Sequence, residues 1–155
     1  MILLNQDFLP QAIALISMAT RRIDLSTFKA EITSKPRGRR LRLFFDTLFA
    51  KRAAGLEVNF LLNWNEARRA APLCNLATIL DLKRHKINVR ILPNNRCCHA
   101  KIIIVDKDKA IIGSHNLSIT SCHNNFEASY IIRDRVSVDR LSSAFEHTLN
   151  DSQKP

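Results

Sequence analysis

Glycine is scarce in this sequence, with 3 residues in 155, so each one is expected to hold a position that other residues fit poorly. Cysteine is almost as sparse: Cys74, Cys97, Cys98 and Cys122 make up the whole set. Four thiols without regular spacing, in a chain long enough to bury a core, exclude a small disulfide scaffold. Cys97 and Cys98 are adjacent and cannot easily bridge each other. No C-x-x-C or H-x-x-x-H pair occurs, so a zinc site drawn from Cys97, Cys98, Cys122, His99 or His123 lacks ligand spacing. Reduced, buried thiols are the expectation. No apolar run approaches the roughly 20 residues of a membrane span. The opening Met1-Ile2-Leu3-Leu4 lacks the basic leading region of a signal peptide and is interrupted by Asn5, Gln6, Asp7 and Pro10. A cytoplasmic location is therefore expected. Repeats, low-complexity tracts and linkers are also absent, which points to one domain over residues 1–155.

Negative charge is the other deficit. Asp and Glu number 14 against 24 Lys and Arg, giving a net charge of +10 and a pI near 10.0. The acidic clusters of a two-metal nuclease are missing, and the charge balance favours polyanionic partners, nucleic acid or an anionic membrane surface.

What is present alternates. Phe8 to Thr20 carries apolar residues at helical spacing, with Pro10 suited to a first turn. Arg22 to Phe28 alternates as a strand does. Lys35 to Arg40 reads as a basic loop, and Leu41 to Ala54 as a helix stopped by Gly55. Glu57 to Leu62 is a strand, Pro72 to about His85 a helix, and Val89 to Leu92 a strand. Ala100 to Val105 is nearly all apolar and marks a buried strand. Ala110 to Gly113 and Ala128 to Ile132 are strands, and Val138 to Leu149 is a closing helix. The pattern predicts an α/β fold: a mixed, mainly parallel β-sheet flanked by helices.

The chemistry gathers in Cys98-His99-Ala100-Lys101, then Asp106, then Gly113-Ser114-His115-Asn116. On an extended strand, His99 and Lys101 share a face; Ser114 and Asn116 do so too if their segment is extended. Gly113 would let a neighbouring backbone or a ligand approach. Glu127 opens a later strand and supplies a carboxylate able to orient a base. A phosphodiester reaction needs such a set. Imidazole attacks phosphorus or protonates a leaving oxygen, while an ammonium and an amide stabilise charge on the non-bridging oxygens. No metal or other cofactor is called for if protein cations carry that charge. His115 and His123 flank the set, and a surface or supporting role is expected for them.

The spacing H-x-K-x4-D-x6-G-S-x-N resembles the signature of the phospholipase D superfamily, and every specified position matches. Chance occurrence of six such residue types in this length is on the order of one in a million. The order of helices and strands around it is also similar, and the chain resembles the small single-motif bacterial endonucleases of that family. The resemblance implies that His99 is the nucleophile of a phosphohistidine intermediate. It implies that Lys101 and Asn116 bind phosphate with Ser114 beside them, and that Glu127 holds the histidine. Asp106 also matches, yet by alternation it points away from His99 and Lys101, so a mainly structural role is expected, paired with a basic group. Transfer in two steps wants a second imidazole, and one chain carries one motif; the family's short members form two-fold homodimers, which predicts a composite site with His99 from both subunits.

Two features bear on the substrate. Lys35, Arg37, Arg39 and Arg40 fit a phosphate clamp or a solvated loop. Trp64, Arg68 and Arg69 fit a stacking surface with cations, or packing in the case of Trp64. Nucleic acid, DNA or RNA, is the leading substrate; an anionic lipid such as cardiolipin is the alternative, and a catalytically silent nucleic-acid-binding module is the third reading.

Overall fold

The computed structural model describes residues 1–64, 73–94 and 96–155. Helix α2 (Arg39–Ala53) shows how the sequence builds the layers. Leu41, Phe44, Phe45, Leu48 and Phe49 recur on one face and are all buried. The helix stops where Gly55 takes φ +96°, a conformation that favours glycine, and the Leu56 N–H turns back to the Lys51 carbonyl at 3.2 Å. Helices α1 (Phe8–Ser17) and α3 (Leu73–Arg84) join α2 on the same side of the sheet, over a core containing Ile16, Phe44, Phe45, Phe60 and Leu82. Helix α5 (Arg135–Asn150) covers the other face, where Phe145 meets Leu61, Ile104 and Ala110 in a smaller cluster.

Among the described residues, seven strands run in the spatial order β1 (Ile2–Leu4), β7 (Ala128–Ile132), β6 (Lys109–Gly113), β5 (Lys101–Val105), β2 (Arg22–Thr27), β3 (Glu57–Leu62) and β4 (Asn88–Arg90). The sheet is mixed as the sequence predicts, but the expectation of mainly parallel pairing is corrected. Only β2–β3 and β3–β4 are parallel, and the four pairs from β1 to β2 are antiparallel. The physical reason is the connections. Helices α2 and α3 return the chain to the same sheet end, whereas β5 and β6 are joined by the tight turn Asp106–Asp108, which can only make a hairpin.

That turn carries φ of +53° at Asp106 and +55° at Lys107, the twist a right-handed hairpin prefers. The Asp106 carboxylate accepts the backbone N–H groups of Thr20, Arg21 and Arg22, each at 2.8 Å, and the Thr20 hydroxyl at 2.9 Å. Burial would raise this carboxyl, but those donors outweigh it and hold it below the usual aspartate range. The carboxylate thus ties the hairpin turn to the start of β2, and its partners are mainly backbone groups rather than the basic side chain expected. Arg21 contributes by donating to the Asp106 carbonyl at 3.2 Å. Asp106→Ala is expected to lower stability by roughly 1–3 kcal/mol in denaturant titration, through the orphaned donors and the positive φ. Asp106→Asn tolerates the φ and should lose less. A depressed carboxyl stabilises the fold above its unfolded-state pKa, so in both variants the loss should shrink as pH falls through the acid range.

Three elements depart from the sequence reading. Residues Ile2–Leu4 form an edge strand against β7, with only Leu3 buried. A short helix α4 (Ile119–His123) follows the motif, capped by the Ser118 hydroxyl. The basic segment is not a loop: Pro36–Gly38 form a 3-10 turn and Arg39 and Arg40 the first turn of α2, which leaves only Lys35 outside helical structure. Pro72, the expected start of α3, lies outside the described residues.

Gly113 is a matter of space. A Cβ there would lie 2.2 Å from Ser129 Oγ, 2.4 Å from Ser129 Cα and 2.5 Å from the Ala128 carbonyl oxygen. The close approach is thus made by the neighbouring strand. Gly113→Ala is expected to destabilise by roughly 1–3 kcal/mol, because backbone must move, and a urea titration measures it.

Candidate active site

His99, Lys101, Ser114, Asn116 and Glu127 lie at one end of the sheet, where β2 and β6 finish and β5 and β7 begin, whereas Asp106 lies at the other end of β5. Lys101 pairs with Gly113, and Gly113 with Ser129, so the register aligns the motif halves across neighbouring strands. His99 precedes β5 and is exposed. The Lys101 ammonium lies 3.2 and 3.3 Å from its two ring nitrogens and donates to the His99 carbonyl at 2.6 Å. Partial burial pulls the Lys101 ammonium below the usual lysine range, opposed by Cys97 and the Glu127 carboxylate. Phe28, which the sequence reading did not single out, stands beside both, 5.2 Å from the His99 ring and 5.7 Å from the ammonium. Its ring gives the imidazole an apolar wall.

Asn116 lies just beyond the strand. Its side-chain oxygen accepts the Lys29 N–H at 3.0 Å and the Thr27 hydroxyl at 3.2 Å. That fixes which end of the amide is which, and leaves the NH2 end to donate, as an anion would require. Ser114 is exposed; its hydroxyl accepts the Ala128 N–H at 3.1 Å and donates to Glu127 Oε2 through a short contact.

Glu127 is buried at 7 % exposure and held on every side. Its other oxygen accepts the Ser121 hydroxyl at 2.8 Å and the Asn125 amide at 3.0 Å, while Asn5 receives its backbone N–H at 2.9 Å. Burial pushes the carboxyl up, but the hydrogen bonds from Ser114, Asn125 and Ser121 prevail and hold it below the usual glutamate range. No hydrogen bond joins Glu127 to His99 among the described residues. The carboxylate is linked to the motif by its hydrogen bond from Ser114.

His115 is buried, stacked on Phe8 at 4.4 Å, and bonded to Ser129 and to the Asn5 carbonyl at 2.7 and 3.0 Å. Burial lowers it below the usual histidine range, which suits a neutral ring donating to the Asn5 carbonyl and accepting from Ser129. It ties Asn5 and Phe8, at the start of α1, to Ser129 of β7. Trp64 is half-buried against the main core, and Arg68 and Arg69 lie outside the described residues. Lys35, Arg39, Arg40 and Arg42 line one shallow depression, and Arg37 donates to Asn124 at 3.3 Å, three residues before Glu127. Among the described residues no three His, Cys, Asp or Glu side chains converge as a bound metal would need, and no helix is long and apolar enough to cross a membrane. Ser121, Asn125 and Asn5 had no signal in the sequence, since nothing in their spacing announces a bond to a distant carboxylate.

Fold and motif together point to one family of α/β proteins, and the comparisons agree. The family model described as "Cardiolipin synthase, PLD-like domain" matches residues 12–149, and the chain belongs to that family, within the phospholipase D superfamily of phosphodiesterases and transferases. Cardiolipin synthase 2 of Bacillus cereus is 39% identical over 56 residues, which is 36% of this chain and 11% of that protein. Phospholipase D of Rickettsia conorii is 31% identical over 93 residues, 60% of this chain and 44% of that one. The chain thus spans less than half the length of these relatives. In structure it is similar to Nuc of Salmonella typhimurium, a phospholipase D family member, with TM-score 0.82 at 16% identity, covering 100% of this chain and 96% of that one. NucT of Helicobacter pylori gives 0.78 at 17% identity, covering 100% and 99%. These two likenesses speak for the fold.

Proposed function

We propose that the chain is a metal-independent nuclease that cleaves DNA or RNA through a covalent intermediate on His99, in a homodimer. The observation that carries the chemistry is the meeting of His99, Lys101, Ser114, Asn116 and an ionised Glu127 at one sheet end. A ring nitrogen of His99 attacks phosphorus; the P–N bond forms as one P–O bond breaks. The Lys101 ammonium and the Asn116 NH2 take up the charge on the non-bridging oxygens. His99 of the partner subunit gives its proton to the leaving oxygen, then removes one from water, which attacks phosphorus and breaks the P–N bond.

Support for a second copy comes from the uncovered half of the sheet. Seven strands at about 4.8 Å spacing are far wider than one helix of about 10 Å, so α5, whose cluster reaches Ala110 and Ile132, leaves β1 and the Ile112 and Tyr130 positions of β6 and β7 bare. Ile2, Ile112 and Tyr130 face out there, with Ile2 opposite Tyr130 and Tyr130 opposite Ile112. Phe126, 84 % exposed, continues the patch to the residue beside Glu127. An apolar face running up to the site is what a two-fold pairing that joins two sites would use.

Nucleic acid is favoured over lipid by the basic segment. Arg39 and Arg40 crowd the start of α2, where no acidic residue lies in the first turn and the helix dipole already disfavours cations, while Arg42 is paired with Asp46 at 2.9 Å. A phosphate backbone would relieve that repulsion, and the Arg37–Asn124 bond ties the segment to the loop that leads to Glu127. End-to-end similarity to compact chains such as Nuc and NucT supports the same reading. The lipid alternative draws on the cardiolipin synthase relatives. The test is incubation in EDTA with single- and double-stranded DNA, RNA and cardiolipin liposomes. Nucleic-acid cleavage is the expected result; cleavage of liposomes alone would overturn the substrate, and binding without cleavage of any would overturn the chemistry.

A further inference from the structure

We infer that Ser121 is a positioning residue for the reaction, joining the backbone of Asn116 to the Glu127 carboxylate. The inference rests on the reading of the site given above. The geometry fixes the direction of the hydroxyl. Asn116 N–H reaches Ser121 Oγ at 2.8 Å and can only donate, so the hydroxyl oxygen accepts there. Its single hydrogen is then directed to Glu127 Oε1, also at 2.8 Å. Ser114 repeats this arrangement on the other carboxylate oxygen, accepting the Ala128 N–H and donating to Oε2. Each oxygen of Glu127 thus faces a hydroxyl already polarised by a backbone amide.

Ser121 sits at 2 % exposure on α4, and Ser118 caps that helix by accepting the Ser121 N–H at 3.4 Å. The short helix therefore serves to bring one hydroxyl to the point where the motif strand and the carboxylate meet. Asn125 supplies a further donor to Oε1, but from an exposed position. Of the two donors to Oε1, only Ser121 also touches the phosphate-binding Asn116. Removing its hydroxyl would free the carboxylate to rotate, favour its protonation, and leave the Asn116 N–H without its acceptor.

The experiment combines a readout that needs no activity with one that does. Carbon-detected NMR titration of Glu127 in wild type and Ser121→Ala should move the carboxyl pKa upward in the variant. With nucleic acid as substrate, kcat should fall on the order of 10- to 100-fold with KM little changed, and the acid limb of the pH profile should move to higher pH. Ser121→Thr, which keeps the hydroxyl, should restore most of both. If Ser121→Ala does not fold, the near-isosteric Ser121→Cys, a weak donor, should give the same directions with smaller size. An unchanged Glu127 titration, or a kcat loss with the acid limb unmoved, would overturn the inference. Absence of activity in the wild type with the titration shift intact would instead count against the proposed reaction and leave the Ser121–Glu127 linkage standing.

Discussion

His99→Ala is expected to lower phosphodiester cleavage by roughly 10⁴-fold or more while leaving the fold intact. The fold should survive because the ring is exposed and its polar contact within the site is Lys101, not the core. The rate should not survive, because the Lys101 ammonium and the Asn116 amide stabilise charge but cannot attack phosphorus. Binding of uncleaved substrate should stay within a few-fold, since the cations that hold phosphate remain. Circular dichroism, a binding titration and an initial-rate assay separate the three quantities. A variant keeping a tenth of the wild-type rate would assign the chemistry to another group.

The second large effect concerns assembly. Tyr130→Glu adds a charge to the centre of the bare apolar face, between Ile2 and Ile112, at a side chain that is 49 % exposed. An exposed position in the single chain tolerates that charge, whereas a face buried against another copy does not. The variant should sediment as a monomer with near-normal stability and lose activity by at least 100-fold, because each site then holds one imidazole. Mixing wild-type chains with excess His99→Ala chains should suppress activity beyond simple dilution, since mixed dimers lack one of the two histidines. A monomeric Tyr130→Glu that cleaves at the wild-type rate would mean that one chain completes the reaction alone.

The parts legible in sequence are those set by local rules. Strands Glu57–Leu62 and Ala128–Ile132 carry their alternation within themselves, and α2 its apolar stripe, so they fall where the pattern puts them. The motif spacing aligned His99, Lys101, Ser114 and Asn116 because a hairpin converts fixed sequence distance into fixed register. What escaped were contacts paid for by long-range order. Ile2–Leu4 is too short to announce a strand and becomes one only by pairing with β7. The direction of β5 beside β2 depended on a connection without a helix, which composition does not encode. Glu127 illustrates both sides: its position was readable, but its grip by Ser121, Asn125 and Ser114 was not, because those hydrogen bonds exist only after the loop around α4 has folded.

A covalent intermediate on His99, formed without a metal, can be trapped. Enzyme and a short labelled nucleic-acid strand are mixed in EDTA, quenched in alkali within one turnover, digested, and examined by mass spectrometry. A strand fragment linked through phosphorus to the peptide containing His99 is the expected product, absent from His99→Ala. Cleavage that stops in EDTA and returns with added divalent metal, with no adduct on that peptide, would contradict such an intermediate.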